Sequence, residues 1–285
     1  MSSQSLSCER ACFGIAGPVK EGVAKTTNLP WTVKAQNLSA QLGIKKVSLI
    51  NDLVANAYGI HALKPEDFFI LNAGHSARGN AAVISAGTGL GEAGLYWDGE
   101  DHHPFASEGG HANFSPANEI EISLLKYLFT RFGHVSWERV LSGPGLVNIH
   151  QFLMGHEQAR PSRDHGEAMR SSDPASVIAQ KGLTGECKIC SDTLDLFVSL
   201  YGSEAGNLAL KVMAAGGVYV GGGIAPKILE RFNGRAFMSA FLEKGRMRNN
   251  LEEIPVRIIL NDRTALLGAA RCALLNKKEG AIPSE

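Results

Sequence analysis

Residues 80–97 read NAAVISAGTGLGEAGLYW. The run AAVI at 81–84 is a compact apolar strand, and SAGTGLG at 85–91 follows it at once, with glycines at 87, 89 and 91 and a hydroxyl at Thr88. Glycine has no Cβ, so backbone amides at such a turn can approach a ligand closely, and successive amides can bind phosphate. Alone, the string serves equally well as a hairpin turn. It is not a Walker A loop, because the terminal GK[ST] is missing, and it is not a clean dinucleotide fingerprint opening a βαβ unit. A second run, GVYVGGGIAPKIL at 217–229, predicts strand, glycine turn and helix. Its Gly221, Gly222 and Gly223 could face the first turn across a cleft.

Outward from these runs the chain alternates between strand and helix patterns. ACFGIAGPV (11–19) and EGVAKTT (21–27) predict a strand and its return, NLSAQLGI (37–44) a short helix, and VSLIND (47–52) a buried strand that LVANAYGI (53–60) continues as helix. FFILNAG (68–74) opens a second lobe. Apolar spacing predicts an amphipathic helix over 119–132, a short helix containing Glu138, a break at SGPGL (142–146), and then NIHQFLMG (148–155). Residues 156–173 are charged and small and read as a solvated excursion. Helices are expected at 173–183, with Asp173 as cap, and at 191–213, followed by a strand at 256–262 and a terminal helix at 265–275. The fold class is α/β, with residues 1–62 and a C-terminal helix within 263–285 in a small lobe and 63–262 in a large one.

Composition narrows the function. The 285 residues carry 28 Lys+Arg against 28 Asp+Glu, a formal net charge of zero that leaves nucleic-acid binding without its electrostatic footprint. No helix-turn-helix pattern opens the chain. No stretch has the length and apolarity of a membrane span, and the first ten residues lack the apolar core of a secretion signal. Five scattered cysteines do not make a secreted disulfide framework, so reduced thiols in a cytoplasm are expected.

Several polar residues could converge on a small polar ligand. SEGGHANF (107–114) places Glu108 and His111 on a glycine-broken segment, and Asn51, Asp52 and Glu138 add amide and carboxylate groups. Sugar hydroxyls suit such a set, since each can donate to a carboxylate while accepting from an amide or imidazole. Asp52, at the end of a strand, is the best candidate general base, with a helix N-cap as the plainer role.

IAGPV (15–19), TNLPW (27–31), LINDLVANAYGI (49–60), SAGTGLGEAGL (85–95), EGGHANFSP (108–116), HVSWERVLSGPGLVNIH (134–150), GGVYVGGGIAPKIL (216–229) and LLGAARCALL (266–275) follow one another in order. This series resembles the bacterial-type glucokinase family, ATP-dependent hexose kinases with a two-lobed, actin-like, ribonuclease H-like fold. The resemblance implies that Asp52 is the catalytic base and that Asn51, Glu108, His111 and Glu138 bind glucose. It implies further that Gly87, Thr88 and Gly89 contact phosphate, that Gly221, Gly222 and Gly223 lie near the adenosine, and that ATP and Mg²⁺ are the cofactors. Glucose is then the substrate partner, a homodimer is open, and neither nucleic acid nor membrane is expected.

One departure bears on activity. Members of this family normally begin with a hairpin carrying a D-x-G-G-T-N-x-R-type phosphate loop, and no such segment stands upstream of Ala11. The small lobe is therefore expected to be incomplete at its N-terminus, and a non-catalytic sugar-binding descendant or an inactive truncated kinase stands as the alternative function. Cys187 and Cys190 have CxxC spacing, but no second pair or histidine set lies near them in the sequence, so neither a structural zinc nor any other metal ligand set is expected.

Overall fold

A computed structural model describes residues 8–26, 30–75, 77–158 and 163–275. The TNLPW motif lies partly outside these residues, as do the ends of the two expected small-lobe segments. The chain divides into two units. One takes the described residues of 1–67, 103–106 and 261–285, and the other those of 68–102 and 107–260.

In the first unit, β1 (Arg10–Ile15) runs parallel to β5 (Lys46–Asn51), with Ile15 opposite Asn51. Three short strands, β2 (Val19–Lys20), β3 (Val23–Lys25) and β4 (Thr32–Lys34), form an antiparallel sheet. Helix α1 (Ala35–Leu42) ends on Gly43 in the left-handed conformation, as helices commonly do. Helix α2 (Asp52–Gly59) packs against the terminal helix, α11 (Thr264–Leu275).

The second unit is built on a sheet in the order β6 (Phe68–Asn72), β11 (Val256–Ile259), β10 (Gly217–Gly221), β7 (Ala81–Ala86), β8 (Leu90–Trp97), while residues 103–106 of β9 (His102–Ser107) fall in the first unit. Strands β7, β10 and β11 are parallel, whereas β6 and β8 run antiparallel to their neighbours. Every residue of β7 is buried, because the strand is central and covered on both faces. Its sequence therefore reads as a continuous small-and-apolar run and not as an alternation.

Eight helices are described in this unit: α3 (Glu119–Phe129), α4 (Gly143–His156), α5 (Arg163–Ser171), α6 (Pro174–Leu183), α7 (Lys188–Val212), α8 (Leu229–Phe232), α9 (Ala236–Leu242) and α10 (Arg248–Glu252). The 25-residue α7 buries Phe197 and Tyr201 with Phe232, Phe237 and Phe241 in a run of edge-on, tilted and, between Phe237 and Phe241, stacked ring contacts. No helix among the described residues is long and apolar enough to cross a membrane.

Three sequence expectations change. SGPGL does not break the chain but opens α4: Ser142 Oγ accepts the Gly145 N–H at 3.0 Å, and Pro144 sits in the first turn, where its missing N–H costs nothing. The charged stretch at 156–173 contains α5. The short helix containing Glu138 narrows to a single 3-10 turn, Trp137–Arg139.

Candidate active site

The two glycine turns leave adjacent parallel strands at the same level, since Gly221 of β10 stands opposite Ser85 of β7. Gly222 has φ +83°, and a Cβ there would run into the Ala86 carbonyl. A glycine is needed for the chain to turn so close to its neighbour. The turn is tied across by Ile224 N–H to Ala86 O (3.3 Å), and the first turn is closed by Gly87 N–H to Gly89 O (2.8 Å). Helix α4 is fastened to the same turn by Gly143 N–H to Gly87 O (2.8 Å).

Together these elements wall a cavity of about 700 Å³ within the second unit. Gly87, Thr88 and Gly223 line it, with Leu146, Ile224 and Lys227 among the side chains around them. Gly89, Gly221 and Gly222 are not among the described lining residues; Gly222 instead makes the close strand crossing. The mixture suits a nucleoside phosphate: apolar walls for a base, glycine backbone amides and a lysine for phosphate. Magnesium is supported differently. Asp173 is the one carboxylate among the described lining residues, and it is already occupied as the cap of α6, accepting Ser176 N–H (3.1 Å) and Ser176 Oγ–H (2.6 Å). A magnesium ion here would depend on the nucleotide phosphates, its usual oxygen ligands.

The candidate sugar ligands of this unit gather at the start of β8. Glu108 precedes the 3-10 turn Gly109–His111 and His111 ends it, with His111 Nε2 3.8 Å from Glu108 Oε2 and both side chains largely exposed. The turn lies so tightly on β8 that a Cβ at Gly110 would run into the Leu90 carbonyl. Glu138 reaches the same strand end, where its Oε2 accepts the Leu90 N–H at 3.0 Å. The flanking segments are zipped together by Phe114 N–H to Val135 O (2.9 Å) and Trp137 N–H to Ala112 O (3.0 Å). Thus β8 positions Glu108, His111 and Glu138 through its backbone, although Glu138 is distant from the other two in sequence.

Asn51 and Asp52 belong to the first unit, at the junction of β5 and α2. Asn51, not Asp52, is the N-cap: its Oδ1 accepts Leu53 N–H at 2.8 Å and Val54 N–H at 3.3 Å, while its Nδ2 donates to Gly17 O at 3.2 Å. Asp52 is therefore relieved of the cap and occupies the first position of the helix. It is half-buried, and loss of hydration raises its pKa above the ordinary 3.8, against the lowering effect of the Leu53 N–H.

Two further buried residues, to which the motifs assign no role, stand behind these elements. The hydroxyl of Tyr201, buried in α7, accepts Ala86 N–H (2.9 Å) and lies 3.1 Å from Gly221 O and 3.2 Å from Ile84 O, so it ties both glycine turns to the helix behind them. Glu92, on β8, is buried; desolvation first, and then the carboxylate of Glu204, push its pKa up to about 8. Glu204 itself is paired with Lys211 Nζ at 3.0 Å. In sequence both look like interruptions of apolar stretches, and only the long-range packing gives them partners.

A family model described as glucokinase matches residues 1–276. The glucokinase of Trichormus variabilis is 46% identical over 279 residues, covering 93% of this chain and 82% of that protein. That of a Synechocystis species is 40% identical over 283 residues, covering 94% and 80%. Among solved structures, a glucokinase from an Antarctic psychrotroph is similar at TM-score 0.81 and 32% identity, over 93% of this chain and 80% of that one. A Balamuthia mandrillaris glucokinase in complex with glucose matches at TM-score 0.75 and 23% identity, over 93% and 78%, a likeness of fold.

Proposed function

Because this chain belongs to the glucokinase family, we propose that it transfers the terminal phosphoryl group of ATP to the 6-hydroxyl of glucose, with Asp52 as general base. The observation that carries this reading is the parallel register of β7 and β10, which delivers two glycine turns to one nucleotide-sized cavity. In that cavity Gly87, Thr88 and Gly223 offer close backbone approach to phosphate, and Lys227 adds a positive charge.

Phosphoryl transfer asks a protein to position reactants and to balance charge more than to form bonds with them. Glu108 and His111 would hold sugar hydroxyls, the carboxylate accepting and the imidazole donating or accepting. Glu138, with one oxygen engaged by Leu90 N–H, keeps its other oxygen for the same purpose. The remaining polar atoms of Asn51 and the carboxylate of Asp52 complete the assignment, and Asp52 takes the proton from the attacking hydroxyl. Its raised pKa makes it a better base than an ordinary aspartate. Magnesium, bound with ATP, supplies neutralisation of phosphate charge.

The test is glucose-dependent ADP formation by the purified, folded chain with ATP and Mg²⁺, run in parallel with other hexoses. Turnover with glucose above the other sugars supports the proposal. A folded chain that binds glucose but forms no ADP would replace it with a sugar-binding role.

A further inference from the structure

The CxxC pair Cys187–Cys190 has no histidine near it in sequence, but the fold supplies one. His150, on α4 and only 4% exposed, is brought against the start of α7, and one ring nitrogen of His150 and the two sulfurs all lie within 4.8 Å of one another. We propose that His150, Cys187 and Cys190 form a zinc-binding site that joins α4 to the α6–α7 turn.

Tetrahedral zinc at ~2.3 Å from sulfur and ~2.0 Å from nitrogen sets neighbouring ligand atoms roughly 3.5–3.8 Å apart, so the three groups need to draw in by at most roughly 1.3 Å. The donor set of two thiol sulfurs and an imidazole is one that zinc prefers and that magnesium or calcium does not. No cysteine among the described residues is in a disulfide, so neither sulfur is committed to one.

The scaffold holds the ligands from three sides. Cys187 is the N-cap of α7, its Sγ accepting the Cys190 N–H at 3.3 Å, which fixes the sulfur on the side of the helix where Cys190 emerges. The preceding turn is pinned by Ser191 Oγ–H to Gly182 O (3.0 Å), by Cys187 N–H to Lys181 O (3.4 Å) and by the Arg231 guanidinium on the Gly182 carbonyl. On the opposite side, His150 is carried by the helix whose first turns line the nucleotide cavity. Cys187 is only half-buried, leaving a path for a water molecule to the fourth coordination position. Binding displaces the two thiol protons to solvent and changes no oxidation state.

The test uses the full chain, stripped of metal and kept reduced with a phosphine, titrated with Zn²⁺ against a chromogenic chelator and separately with Co²⁺. The expected results are one zinc per chain, a rise in melting temperature on zinc addition, and for cobalt a thiolate charge-transfer band with intense visible bands of tetrahedral geometry. Cys187→Ser, at the half-buried position, should keep the native circular dichroism and weaken zinc binding at least about 100-fold, the upper end of what losing a mere outer-shell partner costs. His150→Ala should shift the cobalt spectrum. The exposed Cys8 serves as a control, and Cys8→Ser should bind as the parent does. Absence of stoichiometric zinc in the reduced parent, binding undiminished in Cys187→Ser, or a cobalt spectrum without thiolate charge transfer overturns the site.

Discussion

The hydroxyl of Tyr201 accepts the backbone N–H of Ala86 at 2.9 Å, at the point where β7 gives way to the first glycine turn. The same oxygen is 3.1 Å from the carbonyl of Gly221, where β10 ends. A single buried phenol thereby spans both turns beside the cavity proposed for the nucleotide. Tyr201→Phe keeps the ring in its aromatic cluster and removes only the oxygen. The buried Ala86 N–H is then left without its partner, at an expected cost of about 1–3 kcal/mol in stability. Chemical denaturation measures that loss, and a rise in KM for ATP larger than any rise in KM for glucose tests the positioning role.

The two central glycines of the second turn should behave oppositely. An alanine at Gly222 must adopt φ +83° and push into the Ala86 carbonyl, so Gly222→Ala is expected to lose more than the roughly 1–2 kcal/mol of a left-handed backbone alone. A Cβ at Gly223 meets nothing within 4 Å. Gly223→Ala should leave stability within about 0.5 kcal/mol of the parent and still weaken ATP binding, because that residue lines the cavity. Equal melting temperatures for the two variants would contradict this account of the turn.

Removing the base should separate chemistry from binding. Asp52→Asn is expected to lower kcat roughly 10²–10⁴-fold and leave the dissociation constant for glucose within a few-fold. The proposed mechanism requires ionised Asp52, so activity should fall as pH drops through its raised pKa, and the acid limb of the kcat profile should lie above the ordinary value of 3.8. A variant as active as the parent removes Asp52 from the reaction.

Glu92 makes a prediction about stability with pH. Its folded pKa, about 8, lies above the ordinary 4.5, so between these values the folded chain holds a proton that the unfolded chain has released. The stability linked to that proton is fully present below the unfolded pKa and is lost as pH rises through the folded one. Glu92→Gln, which cannot ionise, should therefore flatten the stability profile and exceed the parent above about pH 8. Denaturation midpoints measured from about pH 5 to pH 9 check the sign. A parent that grows more stable across that interval while the variant does not would reverse it.

Much of the molecule was legible in the residues themselves. Local chemistry announces β7 through its unbroken small and apolar run, α6 through the Asp173 cap, and the two turns through clustered glycine, because these depend on neighbours a few residues away. The ordered motifs extended that reading to a family. The opening of α4 is not legible locally because SGPGL contains breakers, and only the Ser142 cap with Pro144 in the first turn shows them to be a helix start.

What the sequence left open depends on contacts between distant segments. Nothing local says that β7 and β10 are neighbours in register, that Tyr201 joins their ends, that Leu90 N–H engages one oxygen of Glu138, or that His150 meets the Cys187–Cys190 pair. Strand pairing and helix packing bury area contributed by residues far apart along the chain, and only the packed arrangement selects which polar groups must find each other out of water. The residues thus specified the parts and their chemistry, and the tertiary structure chose their partners.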